Sequence, residues 1–462
     1  MIEQSAFARR LQAVCAKTSG LENLQLETLL DSVPDLTALR SEPFRSTVLL
    51  RFDLDVPIQD GRVVDLSRLE AGLPTIQYCL KKGWKVILLG HIGRDAAASA
   101  EPVYTALSSC LNLPITFIAD WLDESNFRLT PGLLERIRSA SAGSVFMLQN
   151  ARKYKVEQAL WTVKEEDFPR LSADLYKIAR DFRENLTDTE INESIAASNT
   201  DFSSAALPLV MDQTAMGLFM AQEMKTFIPR VRRAKLVIFS GLKMDKLNDL
   251  EGLLSAQNLD SVIVAGALAM PLKKASADLA GEIFSAGRSE SDSSLKSYIQ
   301  PQRLEQAQRI VRICAEKKIR LTLPIDFILD DGTICKHIPQ DRVQMDIGPA
   351  SLALFQETVR AFRELAKRSS GGTAMFYNGV FGKFEDPRFE NGTRNFIPLL
   401  KEMTDSGIET YVGGGEGRLA LLKYGSIKDV THAFTSGGTV LKCLANRHIG
   451  YVKAMYLQNC VL

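Results

Sequence analysis

The sequence predicts an α/β protein built as two doubly wound parallel-sheet domains with a cleft and hinge between them. Three observations carry that expectation. Short apolar runs, such as Val48–Leu50, Val86–Leu89, Val145–Leu148 and Val262–Val264, alternate with helix-patterned segments, which is the mark of a parallel sheet covered by helices. Many of these runs end in glycine or a charged residue, at the strand ends where open α/β sheets bind ligands. At 462 residues the chain also exceeds one ordinary core.

The chain divides in expectation into a helical extension (1–45), a first domain (46–225) and a second domain (226–444), with 445–462 packing back on the first. Lys plus Arg number 56 against 55 Asp plus Glu, a balance that gives no reason to expect nucleic acid or membrane as a partner. The longest apolar run, Ser261–Leu272, is shorter than the roughly 18 residues of a spanning helix. Glu3, Arg9 and Arg10 interrupt any leader-like start, and seven cysteines form no C-x-x-C pair. A reducing, cytoplasmic location follows as the expectation.

Residues 1–45 carry amphipathic patterns (Phe7, Leu11, Val14; Leu24, Leu29, Leu30) and no recognisable chemistry. Val48–Phe52 reads as a strand ending in Asp53, Asp55 and Pro57. Ser67 and Glu70 match the S-x-x-E capping box of a helix whose face is Leu69, Leu73, Ile76 and Leu80. Pro74 falls inside it and is expected to kink it. The strand Val86–Leu89 ends in Gly90-His91-Ile92-Gly93-Arg94, and Val145–Leu148 in Gln149-Asn150-Ala151-Arg152. A helix from Pro102 to Leu111, a strand from Ile115 to Ile118, a polar helix within Lys164–Asn185 and an apolar helix over Ala215–Met224 complete the first domain. Pro229–Arg233 reads as the domain junction. Asp53, Arg68, His91, Arg94 and Arg152 thus collect at strand ends or a helix start, and cations there suggest an anion site. His91 has a second reading, as a core histidine satisfied by the protein.

Beyond the junction the strand–turn–helix theme repeats. Lys235–Phe239 leads to Ser240–Lys246, Leu321–Leu329 reads as one strand, and Ala374–Tyr377 leads to Asn378-Gly379. Glu409–Val412 leads to Gly413-Gly414-Gly415-Glu416, and His432–Phe434 to Ser436-Gly437-Gly438. Glycine at such turns lets backbone N–H groups approach phosphate oxygens at a helix N-terminus, although a tight connection alone also calls for glycine. Neither a G-x-x-x-x-G-K-[ST] loop nor G-x-G-x-x-G is present, which disfavours a P-loop or a dinucleotide oxidoreductase. An anion site in one domain and a phosphate site in the other point to a transfer reaction that needs domain closure.

In order and spacing, the stretches Val48–Pro57, Leu73–Ile76, Lys85–Arg94, Leu148–Tyr154, Leu323–Asp326, Asp346–Pro349, Asn378–Glu385, Gly413–Glu416 and Ser436–Gly438 resemble the phosphoglycerate kinases. The resemblance implies a monomeric, glycolytic kinase of two Rossmann-like lobes that moves a phosphoryl group between ATP and the carboxylate of 3-phosphoglycerate, with Mg²⁺. It implies that Asp53, Asp55, Arg68, His91, Arg94 and Arg152 line the acid pocket. Nucleotide is implied at Gly241, Lys243, Lys246, Gly266, Asn378, Glu385, Gly413, Gly414, Gly415 and Glu416, with Glu416 toward the metal. Arg68, Lys246, Gly414 and Gly437 are the implied catalytic set, through charge and backbone N–H groups rather than proton transfer.

The departures from the family pattern fall on the chemistry. Asn199-Thr200-Asp201-Phe202 stands where the family has H-R-A-H, so Thr200 replaces an arginine worth about 1.5–3 kcal/mol as a charge-assisted contact. Asp55 stands for an asparagine, beside Asp53. Two residues rather than three separate Lys243 from Lys246, Glu416 and Gly417 replace an aspartate and a threonine, and Val380 replaces a proline. Two readings stay open: a divergent acid kinase using 3-phosphoglycerate or a close analogue, and a catalytically weak, nucleotide-binding paralogue with a regulatory or scaffold role.

Overall fold

The computed structural model describes residues 2–16, 20–196, 199–367 and 373–460. They form two compact units, one of Met1–Thr226 with His448–Leu462 and one of Phe227–Arg447. The tail that joins unit 1 therefore starts at His448, and residues 1–45 form no unit of their own. Phe7, Leu11 and Val14, on the helix Gln4–Cys15, are buried in the core of unit 1. Phe7 packs on Tyr176 with ring centroids 5.3 Å apart.

Among the described residues, the large sheet of unit 1 has six strands: β1 (Thr47–Arg51), β2 (Lys85–Leu89), β3 (Ile115–Ile118), β4 (Val145–Leu148), β5 (Thr189–Asn192) and β6 (Gln213–Met216). They pair in the order β6-β5-β1-β2-β4-β3, all parallel. Every residue of β1 is buried, as expected where helices cover both faces and a strand reads as an unbroken apolar run. Strand order reverses beside β1, with β5 on one side and β2 on the other.

Unit 2 repeats the plan with β7 (Ala234–Gly241), β8 (Ser261–Gly266), β9 (Arg320–Thr322), β10 (Ala374–Asn378), β11 (Glu409–Gly413) and β12 (His432–Ala433). The order is β9-β8-β7-β10-β11-β12, again all parallel. Here the reversal falls between β7 and β10. The α/β, two-sheet expectation holds.

Four local expectations fail. Ser67 is the first helical residue of Ser67–Lys81 and caps nothing; Asp65 Oδ1 instead accepts the Ser67 N–H at 2.9 Å. The helix expected over Ala215–Met224 starts only at Leu218, because Ala215 and Met216 belong to the edge strand β6, for which β5 offers a parallel partner. Leu321–Leu329 splits at Pro324: Arg320–Thr322 joins the large sheet, while Phe327–Leu329 pairs antiparallel with Ile334–Cys335 and Gln344–Ile347. The junction expected at Pro229–Arg233 is a short helix, Ile228–Val231, inside unit 2. Among the described residues, no helix is long and apolar enough to cross a membrane.

Candidate active-site residues in the two units

In unit 1 the site grows from the end of β1. Arg51 is its last residue, and its guanidinium is completely buried. Nε donates to Ser203 Oγ at 2.7 Å, Nη1 to the Phe52 carbonyl at 3.1 Å and Nη2 to His91 Nδ1 at 2.8 Å. An arginine can only donate, so Nδ1 of His91 accepts and the ring is neutral. Burial first, then Arg51, Arg152 and Arg68, pull the His91 pKa down to about 2. His91 is thus held by the protein and adds no positive charge at neutral pH.

Arg68 reaches from the first turn of Ser67–Lys81 to the loop after β1. Its Nη1 donates to the Asp55 carbonyl at 2.6 Å and lies 3.7 Å from Asp53 Oδ1 and 3.9 Å from Asp55 Oδ2. The two acids that the sequence places side by side thus share one cation. Asp55 Oδ1 also accepts the Gly93 N–H at 2.8 Å, tying this loop to the one after β2. Burial raises the pKa of Asp53, which Arg68 opposes.

Arg152, just past β4, is buried as well. Its Nη1 donates to the Gly93 carbonyl, and its guanidinium lies 5.0 Å over the Trp161 ring. Asp53, Asp55, Arg68, His91 and Arg152 are therefore together. Arg94 lies on the same loop but is exposed, with no hydrogen bond or ion pair to the described residues.

The fold adds groups that the motifs did not single out. Glu157 accepts from Ser203 N at 3.0 Å and Ser203 Oγ at 2.6 Å, and lies 3.8 Å from Arg51. Burial, then Asp201, lifts its pKa to about 7. Glu190, on β5 opposite Leu49, is buried with neither carboxyl oxygen hydrogen-bonded to the described residues, and burial raises its pKa far above the usual range. Asp201 is fully buried and accepts Trp161 Nε1–H at 2.8 Å. One signal was available beforehand: an acid at position 201, inside the segment that stands for H-R-A-H.

In unit 2 the site lies where strand order reverses. Phe239 on β7 is in register with Asn378 at the end of β10. Gly414 caps the helix Gly415–Tyr424 with φ +83°, a conformation that favours glycine, and a Cβ there would meet Asn378 Oδ1 at 2.8 Å. Gly437 opens the helix Gly437–Leu444, and a Cβ on it would come within 2.4 Å of Gly414 Cα. Two helix N-termini thus meet glycine to glycine, with backbone N–H groups suited to anions. Lys246, in the turn Met244–Lys246 after β7, has Nζ 4.0 Å from Glu416 Oε2. Lys243, Gly415, Glu385 and Glu416 are exposed, while Gly413 is buried at the end of β11.

A cavity of about 570 Å³ opens here, lined by Gly241, Gly266, Met270, Val343, Glu385 and Glu416 among others. Asn378 Nδ2 is buried beside Gly414 without a hydrogen-bond partner among the described residues, so an acceptor on a bound molecule would complete it. No group of three or more His, Cys, Asp or Glu among the described residues forms a metal site. One carboxylate, Glu416, fits Mg²⁺ held mainly by phosphate oxygens.

Compared with known protein families, residues 43–447 match the family described as phosphoglycerate kinase. The chain belongs to the phosphoglycerate kinase family. Among curated relatives, it is 28% identical over 435 residues to phosphoglycerate kinase 2 of Rhizopus niveus, covering 89% of this chain and 96% of that one. It is 26% identical over 422 residues to phosphoglycerate kinase of Thermosipho africanus, covering 87% and 93%. Its fold matches phosphoglycerate kinase structures from Pyrococcus horikoshii OT3 (TM-score 0.72, 23% identity, 92% of this chain and 99% of that one) and from Coxiella burnetii (TM-score 0.67, 22% identity, 93% and 100%). The chain is a phosphoglycerate-kinase-like kinase.

Proposed function

We propose that this family member transfers the γ-phosphoryl group of Mg-ATP, reversibly, to the carboxylate of 3-phosphoglycerate or a close analogue, giving an acyl phosphate and ADP. The observation that carries the reading is the meeting of Gly414 with Gly437 at two helix N-termini, beside Lys246 and Glu416. Negative charge on three equatorial oxygens is what such a transfer must stabilise. Backbone N–H groups and the Lys246 ammonium supply that stabilisation without proton transfer. Glycines line the cavity together with the apolar Met270 and Val343, surfaces that suit a flat base, and the Glu385 carboxylate suits ribose hydroxyls. Glu416 would hold Mg²⁺ together with phosphate oxygens; the ion, when bound, neutralises phosphate charge.

In unit 1, Arg68 and Arg94 orient the acid, at the edge of the cluster that holds Arg152. The acid oxygen attacks phosphorus as the bond to the bridging oxygen breaks, and ADP leaves with the electron pair. Direct transfer requires the two ligands to meet in line, so closure of the units, in a monomeric cytoplasmic protein, belongs to the proposal. A screen of ATP consumption over small anionic carboxylic acids tests it. Turnover with one acid, abolished by Lys246→Ala, is expected; no turnover with any acid sinks it.

A second reading, a nucleotide-binding paralogue with a regulatory role, is favoured by one observation: Arg51 and Arg152 already face carboxylates of the chain itself. Calorimetry showing tight Mg-ATP binding, no binding of any acid and no change in Lys246→Ala would select it.

A further inference from the structure

The basic cluster of unit 1 contains an anion of its own. Asp201 Oδ2 lies 3.8 Å from Arg51 Nη2, 3.8 Å from Arg152 Nη2 and 4.0 Å from His91 Nδ1. This oxygen is buried and accepts no hydrogen bond from the described residues, and Arg152 Nε donates none to them. The carboxylate therefore faces the cluster as a charge, without the paired N–H contacts of a bidentate ion pair. Its other oxygen is fixed by Trp161 Nε1, and the same indole carries the Arg152 guanidinium. Trp161 thus holds both partners in place.

The neighbouring charges leave little surplus for a second anion. Glu157 faces Arg51 as well, and Arg68 is shared by Asp53 and Asp55. His91 is neutral, since its Nδ1 accepts from Arg51. Arg94 alone among these cations is unengaged and exposed. Thr200, next in the chain to Asp201, brings no charge. An entering carboxylate meets one exposed arginine and a shared one. An entering phosphate carries up to two charges and meets the same groups with Asp201 behind them, where burial leaves like-charge repulsion poorly screened.

We propose that Asp201 is a specificity-determining residue that neutralises Arg51 and Arg152 from within, so that the pocket takes a carboxylic acid lacking phosphate in preference to a phosphorylated one. The substrate class rests on the acid-kinase reading above; the internal neutralisation rests on geometry alone. Asp201→Asn keeps the shape and an oxygen for Trp161 while removing the charge, and Asp201→Ser serves if the first variant does not fold.

The experiment is calorimetric titration of the full chain and the folded variant with inorganic phosphate, glycerate and 3-phosphoglycerate, with ATP consumption followed in the same samples. The wild type is expected to bind glycerate at least as tightly as 3-phosphoglycerate. The variant should gain about tenfold or more for phosphate and 3-phosphoglycerate, the size of one charge-assisted contact, and little for glycerate. Tenfold tighter binding of 3-phosphoglycerate than glycerate by the wild type overturns the proposal. So does a folded variant that loses stability without gaining anion affinity. A gain without turnover of any acid would uphold Asp201 and sink the kinase reading. Turnover of 3-phosphoglycerate with its KM unchanged in the variant would do the reverse.

Discussion

Both sheets reverse strand order beside a central strand, yet the two strand ends differ in kind. At the end of β1 the polar groups are side chains, buried and committed to one another: Arg51 to His91, Ser203, Glu157 and Asp201, and Arg152 to Gly93 and Asp201. At the ends of β7, β10 and β11 the polar groups are largely backbone. Side chains there are absent (Gly413, Gly414, Gly437), exposed (Lys243, Glu416) or left without a partner among the described residues (Asn378 Nδ2). One fold plan thus yields a strand end whose side-chain charges face one another and strand ends whose polar groups are mainly backbone N–H. The difference is one of charge bookkeeping rather than topology.

The sharpest way to break the comparison is to remove the cation of the side-chain cluster. Arg51→Met leaves Asp201 and Glu157 buried without their guanidinium, and unit 1 should lose about 3–5 kcal/mol, read by chemical denaturation. A loss within experimental error would mean that the carboxyls are protonated and the cluster is no ion-pair network.

A second effect is a slope with pH. Burial lifts the Asp346 pKa in unit 2 to about 7, against the Gly392 and Ile347 N–H groups that favour its ionised form. The folded chain then binds this proton more tightly than the unfolded chain does. The stability it contributes is complete below about pH 4 and is lost as pH rises through about 7. Denaturation midpoints of unit 2 should fall less steeply over that window in Asp346→Asn; an identical slope would show that Asp346 stays ionised. Glu193 in unit 1, lifted to about 7 chiefly by burial, acts in the same direction.

A smaller effect in stability but a decisive one in binding is expected of Gly437→Ala. The added methyl meets Gly414 Cα, and overpacking of this kind costs about 1–3 kcal/mol. Mg-ADP affinity should drop together with the thermal midpoint. Full affinity in a folded variant would remove the glycine meeting from the phosphate site.

Much of this was legible beforehand. The strands β1, β2, β4, β7, β8, β10 and β11 announce themselves as apolar runs ending in glycine or charge, because a parallel strand buried on both faces has no polar face to show. The family likewise rests on ordered motifs. β6 escaped because its four residues carry no such run, and its extended form depends on β5. The capping box at Ser67 escaped because Asp65, two residues earlier, takes the N–H that the pattern assigned to helix capping. Asp55, beside Asp53 where the family has an asparagine, has Arg68 and the Gly93 N–H against it.

Local pattern was enough for most of the large-sheet strands, for the parallel class and for the glycine turns, since each depends on contacts within a few residues. Which acid faces which base was not local. Arg51 and Ser203 are 152 residues apart, and Trp161 reaches Asp201 across 40. Such pairings exist only once β1, β5 and the segments beyond β4 have packed. Burial then weakens solvent screening, so a partner that is negligible at the surface sets the charge of the site. Arg68, Arg94 and Arg152 could be named from the chain alone; Arg51, and the anion already present beside Arg51 and Arg152, came from the folded core.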